Sequence, residues 1–198
     1  MAVVQFSHRN TPQGPLMKRT YEIRRVWHSD SVNEPMSTVQ GTAFDTYSLA
    51  HVGPQPARRS AWFVAIAERR MVGSMTLQGP DRHAACAWYR RPEVAILRQL
   101  VIDPQQRDRG CAEALVDVAL HWARANDYAE LAVEVPTEPA ELIPYFRSHG
   151  FRIVDSVRVP DGGRLDAVLS QPIDSAHVRT DLVFSPQRGS WFASVSSR

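Results

Sequence analysis

Hydrophobic and polar positions along the chain alternate with two different periods, and the changes of period divide it into strands and helices. The stretch YEIRRVW from Tyr21 alternates as a first strand. AWFVAIAE, the turn ERR and MVGSMTLQG predict a hairpin, and Gly73 in its return strand marks either a bulge or a close approach of another backbone. EVAILRQLVID is apolar almost throughout, as in a strand buried near the middle of a sheet. From Glu113 to Asn126, residues Leu115, Val118, Ala119 and Trp122 fall at i, i+3, i+4 and i+7, one apolar face of a helix that Asn126 can close. ELAVEV (130–135) is a further strand. A short helix from Glu138 or Pro139 to His149 stops at Gly150, and FRIVDSVRV and RLDAVLSQPI, joined by PDGG, form a last antiparallel pair.

The remaining segments are polar. Residues 1–20, punctuated by Pro12, Gly14 and Pro15, read as an N-terminal arm. Residues 30–51 read as broken helix with Asp30 at its N-cap, 53–59 as a loop, and 80–92 as a polar loop. From Asp174 the chain is serine-rich with one apolar patch, LVF (182–184). The predicted organisation is one domain over 21–172, with a C-terminal extension over 173–198. Antiparallel strands come first, then strand, helix, strand, helix, then antiparallel strands again. That order predicts an α/β fold of α+β character, a mixed sheet flanked by helices.

Composition narrows the choice of partner. With 43% hydrophobic and 22% charged residues the chain has the make-up of a folded globular protein. A formal charge of +2 is too small to imply nucleic acid or an anionic membrane as the main partner. Cys86 and Cys111 offer neither a disulfide framework nor paired zinc spacing, and no two histidines stand at i, i+4, so no metal is expected and a reduced, cytoplasmic setting is. The N-terminus lacks an apolar h-region, and no stretch approaches the ~18 apolar residues of a membrane span.

The candidate chemistry lies in IDPQQRDRGCAEAL (102–115), where a strand turns directly into a helix. Such a turn presents unpaired backbone N–H groups at the helix mouth, where the macrodipole also favours negative charge. Gly110 and Ala112 keep side chains clear, and Arg107 and Arg109 bring cations, giving the spacing R-x-x-G-x-A. Taken alone, the pattern fits either an anion site or a tight connection. No G-x-x-x-x-G-K-[ST] is present, and only one of the three dinucleotide-fingerprint glycines is, which disfavours both of those nucleotide folds.

In two linked blocks the chain resembles the GNAT (GCN5-related) N-acetyltransferases. LVIDPQQRDRGCA, with Leu100 and Ile102 flanking Val101, is similar to their strand followed by D-P and Q/R-x-x-G-x-G/A. LAVEVPTEPAELIPYFRSHGF (131–151) resembles their second block, a strand and a short helix ending in L-Y-x-x-x-G-F. The resemblance covers roughly 21–172. It implies a sheet splayed between two central parallel strands, with acetyl-CoA as cosubstrate. Strand groups at Leu100, Val101 and Ile102 would pair with the pantetheine arm, and amides of Arg107, Asp108, Arg109, Gly110, Cys111 and Ala112 would hold the pyrophosphate. The implied reaction is direct attack of an amine, on a small molecule or peptide, upon the thioester, with no metal, nucleic acid or membrane involved; a homodimer is compatible with it.

Four positions depart from the family pattern. Ile96 stands where a strand glutamate often serves as base, Phe146 where a tyrosine often serves as acid, Pro139 at a pantetheine-contacting asparagine, and Asp108 at a second glycine. Substitute candidates for proton transfer are Glu93, Glu134 and Tyr145, each with a structural reading beside the catalytic one: strand start, exposed strand residue and core-edge aromatic. Cys111 reads as a small packing residue. Trp88, Tyr89, Arg90 and Arg91 form either an aromatic and cationic lip for the acceptor or a solvated loop. The departures keep a second function open, a non-catalytic acyl-CoA-binding regulatory module.

Overall fold

The computed structural model describes residues 17–26, 60–106, 108–137, 142–158, 165–173 and 181–197. The expected broken helix at 30–51, the loop at 53–59, most of the N-terminal arm and Arg107 lie outside them. The described elements are β1 (Met17–Val26), β2 (Ser60–Ala67), β3 (Arg70–Gln78), β4 (Val94–Ile102), α1 (Cys111–Ala125), β5 (Glu130–Pro136), α2 (Leu142–Ser148), β6 (Arg152–Arg158), β7 (Leu165–Pro172), β8 (Asp181–Ser185) and β9 (Ser190–Ser197). Parallel and antiparallel strand pairs occur together, so the fold is the α/β type with a mixed sheet that the element order predicts.

The chain forms two compact units. Of the described residues, one takes 77–98 and those within 119–173, the other those within 17–76, 99–118 and 181–197. In the first, the hydrogen-bonded strand order is β6-β7-β5-β4. β4 and β5 run parallel from Val94↔Glu130 to Leu97↔Val133, and β5 continues antiparallel to β7 as far as Pro136↔Asp166. Val94, Ile96, Ala132 and Val168 share a buried cluster with Cys86 and Tyr89. The alternate positions Ala95, Leu97, Leu131, Val133 and Leu169 are buried as well, so these strands are covered on both faces, as their continuous apolar runs predict.

In the second unit the order is β4-β3-β2-β1-β9-β8. The β2–β3 hairpin turns on Glu68 and Arg69, both at positive φ (52° and 62°), the geometry of a two-residue primed turn that usually selects Asn or Gly. Gly73 marks a close approach, of side chains. A Cβ there would lie 3.0 Å from both Cys111 Sγ and Leu115 Cδ1, so the missing side chain lets the first turn of α1 pack onto β3. The serine-rich tail, for which the sequence predicts no element, forms the β8–β9 hairpin, and β9 pairs with β1 over eight positions from Met17↔Ser197 to Arg24↔Ser190. Serine has low strand propensity; the pairing with β1 and burial of Ala193 override it.

Helix boundaries follow local chemistry. α1 begins at Cys111, two residues before the first predicted position, because the Gly110 carbonyl already accepts from Ala114 N at 3.1 Å. It closes where Tyr128 N donates to Ala123 O, with Asp127 at φ 62°, while Asn126 Nδ2 donates to Trp122 O at 2.8 Å. α2 ends at Gly150 (φ 89°), where Phe151 N reaches Phe146 O and the two rings pack edge to face.

Candidate active site

The strand-to-helix turn is built one residue at a time. Asp103 N donates to Val72 O on β3, and Asp103 Oδ1 accepts from Gln105 N at 2.9 Å. Asp103 thereby caps the 3₁₀ turn Pro104–Gln106, and Pro104 supplies a preset φ at its first position. Asp108 and Gly110 then take left-handed φ of 57° and 84°. The first helical bond is Ala114 N to Gly110 O, so the amides of Cys111 and Ala112 stand ahead of the α1 ladder, at the positive end of a 15-residue helix. Asp108 and Arg109 are exposed, and Ala112 is half-buried. This is the backbone geometry an anion site needs, and Asp108 reaches it without glycine because aspartate tolerates the left-handed region better than most residues.

Leu100 and Val101 are half-buried on β4 and Ile102 is buried. Register pairs of β4 with β5 stop at Leu97↔Val133, although β4 runs on to Ile102 and β5 to Pro136.

A second group of polar side chains lies in the first unit, on the face that carries Ile96. Arg98 stands two residues along β4 from Ile96, and Glu134 two along β5 from Ala132, so alternation places all four on one side. Arg98 Nη1 is 3.9 Å from Glu134 and Nη2 is 3.6 Å from Asp81. Its guanidinium also sits 4.9 Å over the ring of Tyr89, which is buried and whose hydroxyl has no hydrogen-bond partner among the described residues. Burial, then the Glu134 carboxylate, push the Tyr89 phenol well above its ordinary range, so it stays protonated. Tyr89 is therefore core rather than lip. Trp88 is half-buried against the same cluster, its ring 4.0 Å from the Arg91 guanidinium and 5.9 Å from that of Arg152.

Two of the three proton-transfer candidates, Glu93 and Glu134, are held apart. Glu93 heads β4, where Arg91 Nε holds its carboxylate at 2.7 Å; its own backbone N–H, then Arg91, keep the carboxyl below its usual range. Its carbonyl accepts from the amides of Ala129 and Glu130. Five residues at about 3.3 Å each separate it from Arg98, so Glu93 and Glu134 lie at opposite ends of the strand pair. The Tyr145 ring packs 4.3 Å from that of His149, whose Nδ1 donates to Tyr145 O at 2.7 Å.

The profile of the Acetyltransferase (GNAT) family matches residues 18–151, more than half of the chain. The chain belongs to the GNAT acetyltransferase family. Among solved structures, the ribosomal-protein-S18-alanine N-acetyltransferase from Escherichia coli superposes with a TM-score of 0.52 at 18% identity, over 81% of this chain and 96% of that one. The IAA acetyltransferase from Bacillus cereus gives 0.51 at 13% identity over 77% and 99%. Nourseothricin acetyltransferase gives 0.51 at 22% identity over 59% and 67%. At these identities the likeness is one of fold. No curated protein matches the sequence.

In this GNAT chain the two positions where the family often has a base and an acid are core. Ile96 is fully buried and Phe146 is 5% exposed. Among the described residues no group of three or more His, Cys, Asp or Glu is placed to hold a metal, and no helix is long and apolar enough to cross a membrane.

Residues that the sequence did not single out complete both places. Tyr21 Oη donates to Arg109 O at 2.7 Å, and Val195 packs against Gly110. Asp155 accepts from Cys86 Sγ at 3.2 Å and from Ser156 N at 2.8 Å, with further support from the Trp88 and Ala87 amides, which fixes the loop bearing Tyr89. A register shift between Ile153 and Asp155 accompanies that placement. Alternation in YEIRR marks Tyr21 as inward-facing; none of these partnerships has a local sequence signal.

Both thiols are buried, and burial raises both thiol pKa values, that of Cys111 strongly. Neither is expected to react with a disulfide reagent at pH 8 while the fold persists, and both should react in guanidinium. One equivalent of rapid labelling in native buffer would contradict that burial.

Proposed function

We propose that this GNAT protein is an N-acetyltransferase that moves the acetyl group of acetyl-CoA to an amine of a small molecule or peptide. The turn at the start of α1 carries the reading: left-handed Asp108 and Gly110 open a helix directly after β4, in a chain of this family. Amides of residues 107 to 112 would hold the pyrophosphate, and strand groups of Leu100 to Ile102 would pair with pantetheine and polarise the thioester carbonyl. The amine lone pair adds to that carbonyl carbon, the carbon–sulfur bond breaks, and CoA leaves as thiol once a proton reaches sulfur. The amine must shed a proton on the way. Glu134 is the preferred acceptor, because it shares a face with Ile96, where the family often places its base, whereas Glu93 lies at the far end of β4. Tyr145 is the remaining candidate to return a proton to sulfur.

The burial of Ile96 and Phe146 favours one alternative, a regulatory module that binds acyl-CoA without turning it over. Calorimetry followed by thiol release across an amine panel separates the two. Acetyl-CoA is expected to bind, and one class of amine to release CoA. Asp108→Gly should bind at least as tightly as wild type, since it removes an anion beside the phosphates and relieves a left-handed strain of about 1 kcal/mol. No binding by wild type would end the cofactor assignment, and a large loss in Asp108→Gly would show the turn to be misread. Binding with silence across the whole panel would favour the module.

A further inference from the structure

We infer that the β1–β9 strand pair is a working part of the acyl-CoA site, with Tyr21 and Val195 as the positioning residues that set its pyrophosphate turn. The inference rests on the proposal that this turn holds CoA. It goes further by assigning a role to β9, which lies beyond the 18–151 span of the family match.

Two contacts carry it, and they act on consecutive residues of the turn. The Tyr21 hydroxyl donates to the carbonyl of Arg109 at 2.7 Å, and Tyr21 is 1% exposed, so that carbonyl is turned toward the interior. The carbonyl of Arg109 and the N–H of Gly110 belong to one planar trans peptide and point in opposite directions. Holding the carbonyl on Tyr21 therefore turns the Gly110 N–H away from Tyr21, the orientation needed to donate to an outside anion. The buried phenol, pushed up to about 12 by burial, remains a donor across the neutral range.

Val195 makes the second contact. A Cβ built on Gly110 would fall against Val195 Cγ1 and 2.8 Å from Val195 Cβ, so the glycine is seated directly on this side chain. The empty side of Gly110 thus faces β9. A bulky residue there would lever the turn off β9 rather than occupy the phosphate position. Tyr21 pairs with Ala193 and Arg19 with Val195, so Tyr21 and Val195 stand on one face of the β1–β9 ladder, one register step of two residues apart. A freely hinged glycine turn would have to be ordered by its ligand. Here the ladder orders it beforehand, which lowers the entropic cost of binding.

The test compares two probes. CoA, used as acetyl-CoA, carries the pyrophosphate; S-acetylpantetheine carries the same acetylated pantetheine arm without any phosphate. Tyr21→Phe keeps the ring and removes only the hydrogen bond, and Val195→Ala removes the seat beneath Gly110. Tyr21→Phe should weaken CoA by roughly tenfold, the equivalent of one hydrogen bond, and Val195→Ala by about threefold or more through lost packing, while each leaves S-acetylpantetheine within about twofold of wild type. General loosening of the fold would weaken both probes together, and that outcome, or CoA affinity unchanged in both variants, overturns the inference. Failure of wild type to bind CoA would overturn the proposed function instead, and this inference with it. Thermal melts run alongside identify a variant that has merely lost stability, and the ratio of the two affinities still decides the matter for Tyr21→Phe.

Discussion

Ile96→Glu, which restores the residue type the family often uses as a base, is expected to destabilise the protein severely and to create no base. Ile96 is fully buried among Cys86, Tyr89, Val94, Ala132 and Val168, with no polar partner in that cluster besides the thiol and the phenol. A carboxylate placed there loses its hydration, so the group takes up a proton and its pKa rises, toward ~8–9 in well-buried cases. Between the unfolded value of ~4.3 and the raised folded one, the folded state binds the extra proton, so stability falls as pH rises through that window. At pH 7 the neutralisation alone costs about 4 kcal/mol, and polar burial adds to it. For a chain of this size that corresponds to a drop in Tm of roughly 10 °C or more. The gap between the melting curves of variant and wild type should widen as pH rises from about 4.5 to 7.5, above a residual gap at pH 4.5 from burial of the neutral acid. A difference within about 2 °C at pH 7.5 would mean that water reaches Ile96 and that the cluster is more open than its burial implies.

How much of this was legible in the sequence depends on where the decisive interaction lies. The β2–β3 hairpin, β4, the apolar face of α1, β5 and the β6–β7 pair could be read because burial of one or both faces imposes a period on consecutive residues. The β8–β9 hairpin could not. Its serines give no alternation, and its stabilisation comes from pairing with β1, more than 160 residues earlier. The turn before α1 was readable from Gly110 and its neighbours, because a left-handed residue followed by a helix leaves a local trace. That Asp108 also adopts positive φ left none. Tyr89, grouped by its sequence neighbours with a solvent-facing lip, is instead drawn under Arg98 into the core, since a side chain on a 3₁₀ turn can face inward while its neighbours face out. Tyr21 and Val195 show the same limit from the other side. Each was readable, if at all, as a strand residue, and what each does is defined by a turn remote in sequence.

Glu134→Gln is expected to lower kcat by 10²- to 10⁴-fold with whichever amine the panel identifies, the usual contribution of a positioned general base. Glu134 is the carboxylate nearest in register to the last β4–β5 pair, Leu97↔Val133, and it shares a face with Ile96, where the family often places its base. Its side chain is about one-third exposed, so solvent and an incoming amine can reach the carboxylate, and Arg98 Nη1 lies 3.9 Å from it. The substitution keeps shape and an acceptor oxygen, and with an exposed pair of this kind the change in stability should stay within about 1 kcal/mol. KM for acetyl-CoA should be unchanged, because the anion turn is untouched. The deficit should shrink as pH approaches the pKa of the amine, where free amine no longer needs a base. Thiol release can be followed with a disulfide reagent, since Cys86 and Cys111 are both buried. Glu93→Gln is the matched control: it removes a carboxylate tied to Arg91 at the other end of β4 and should leave kcat within about twofold. If Glu134→Gln retained a third or more of the wild-type kcat while Glu93→Gln lost most of it, the proton would leave through the head of β4, and the face shared by Ile96, Arg98 and Glu134 would be structural.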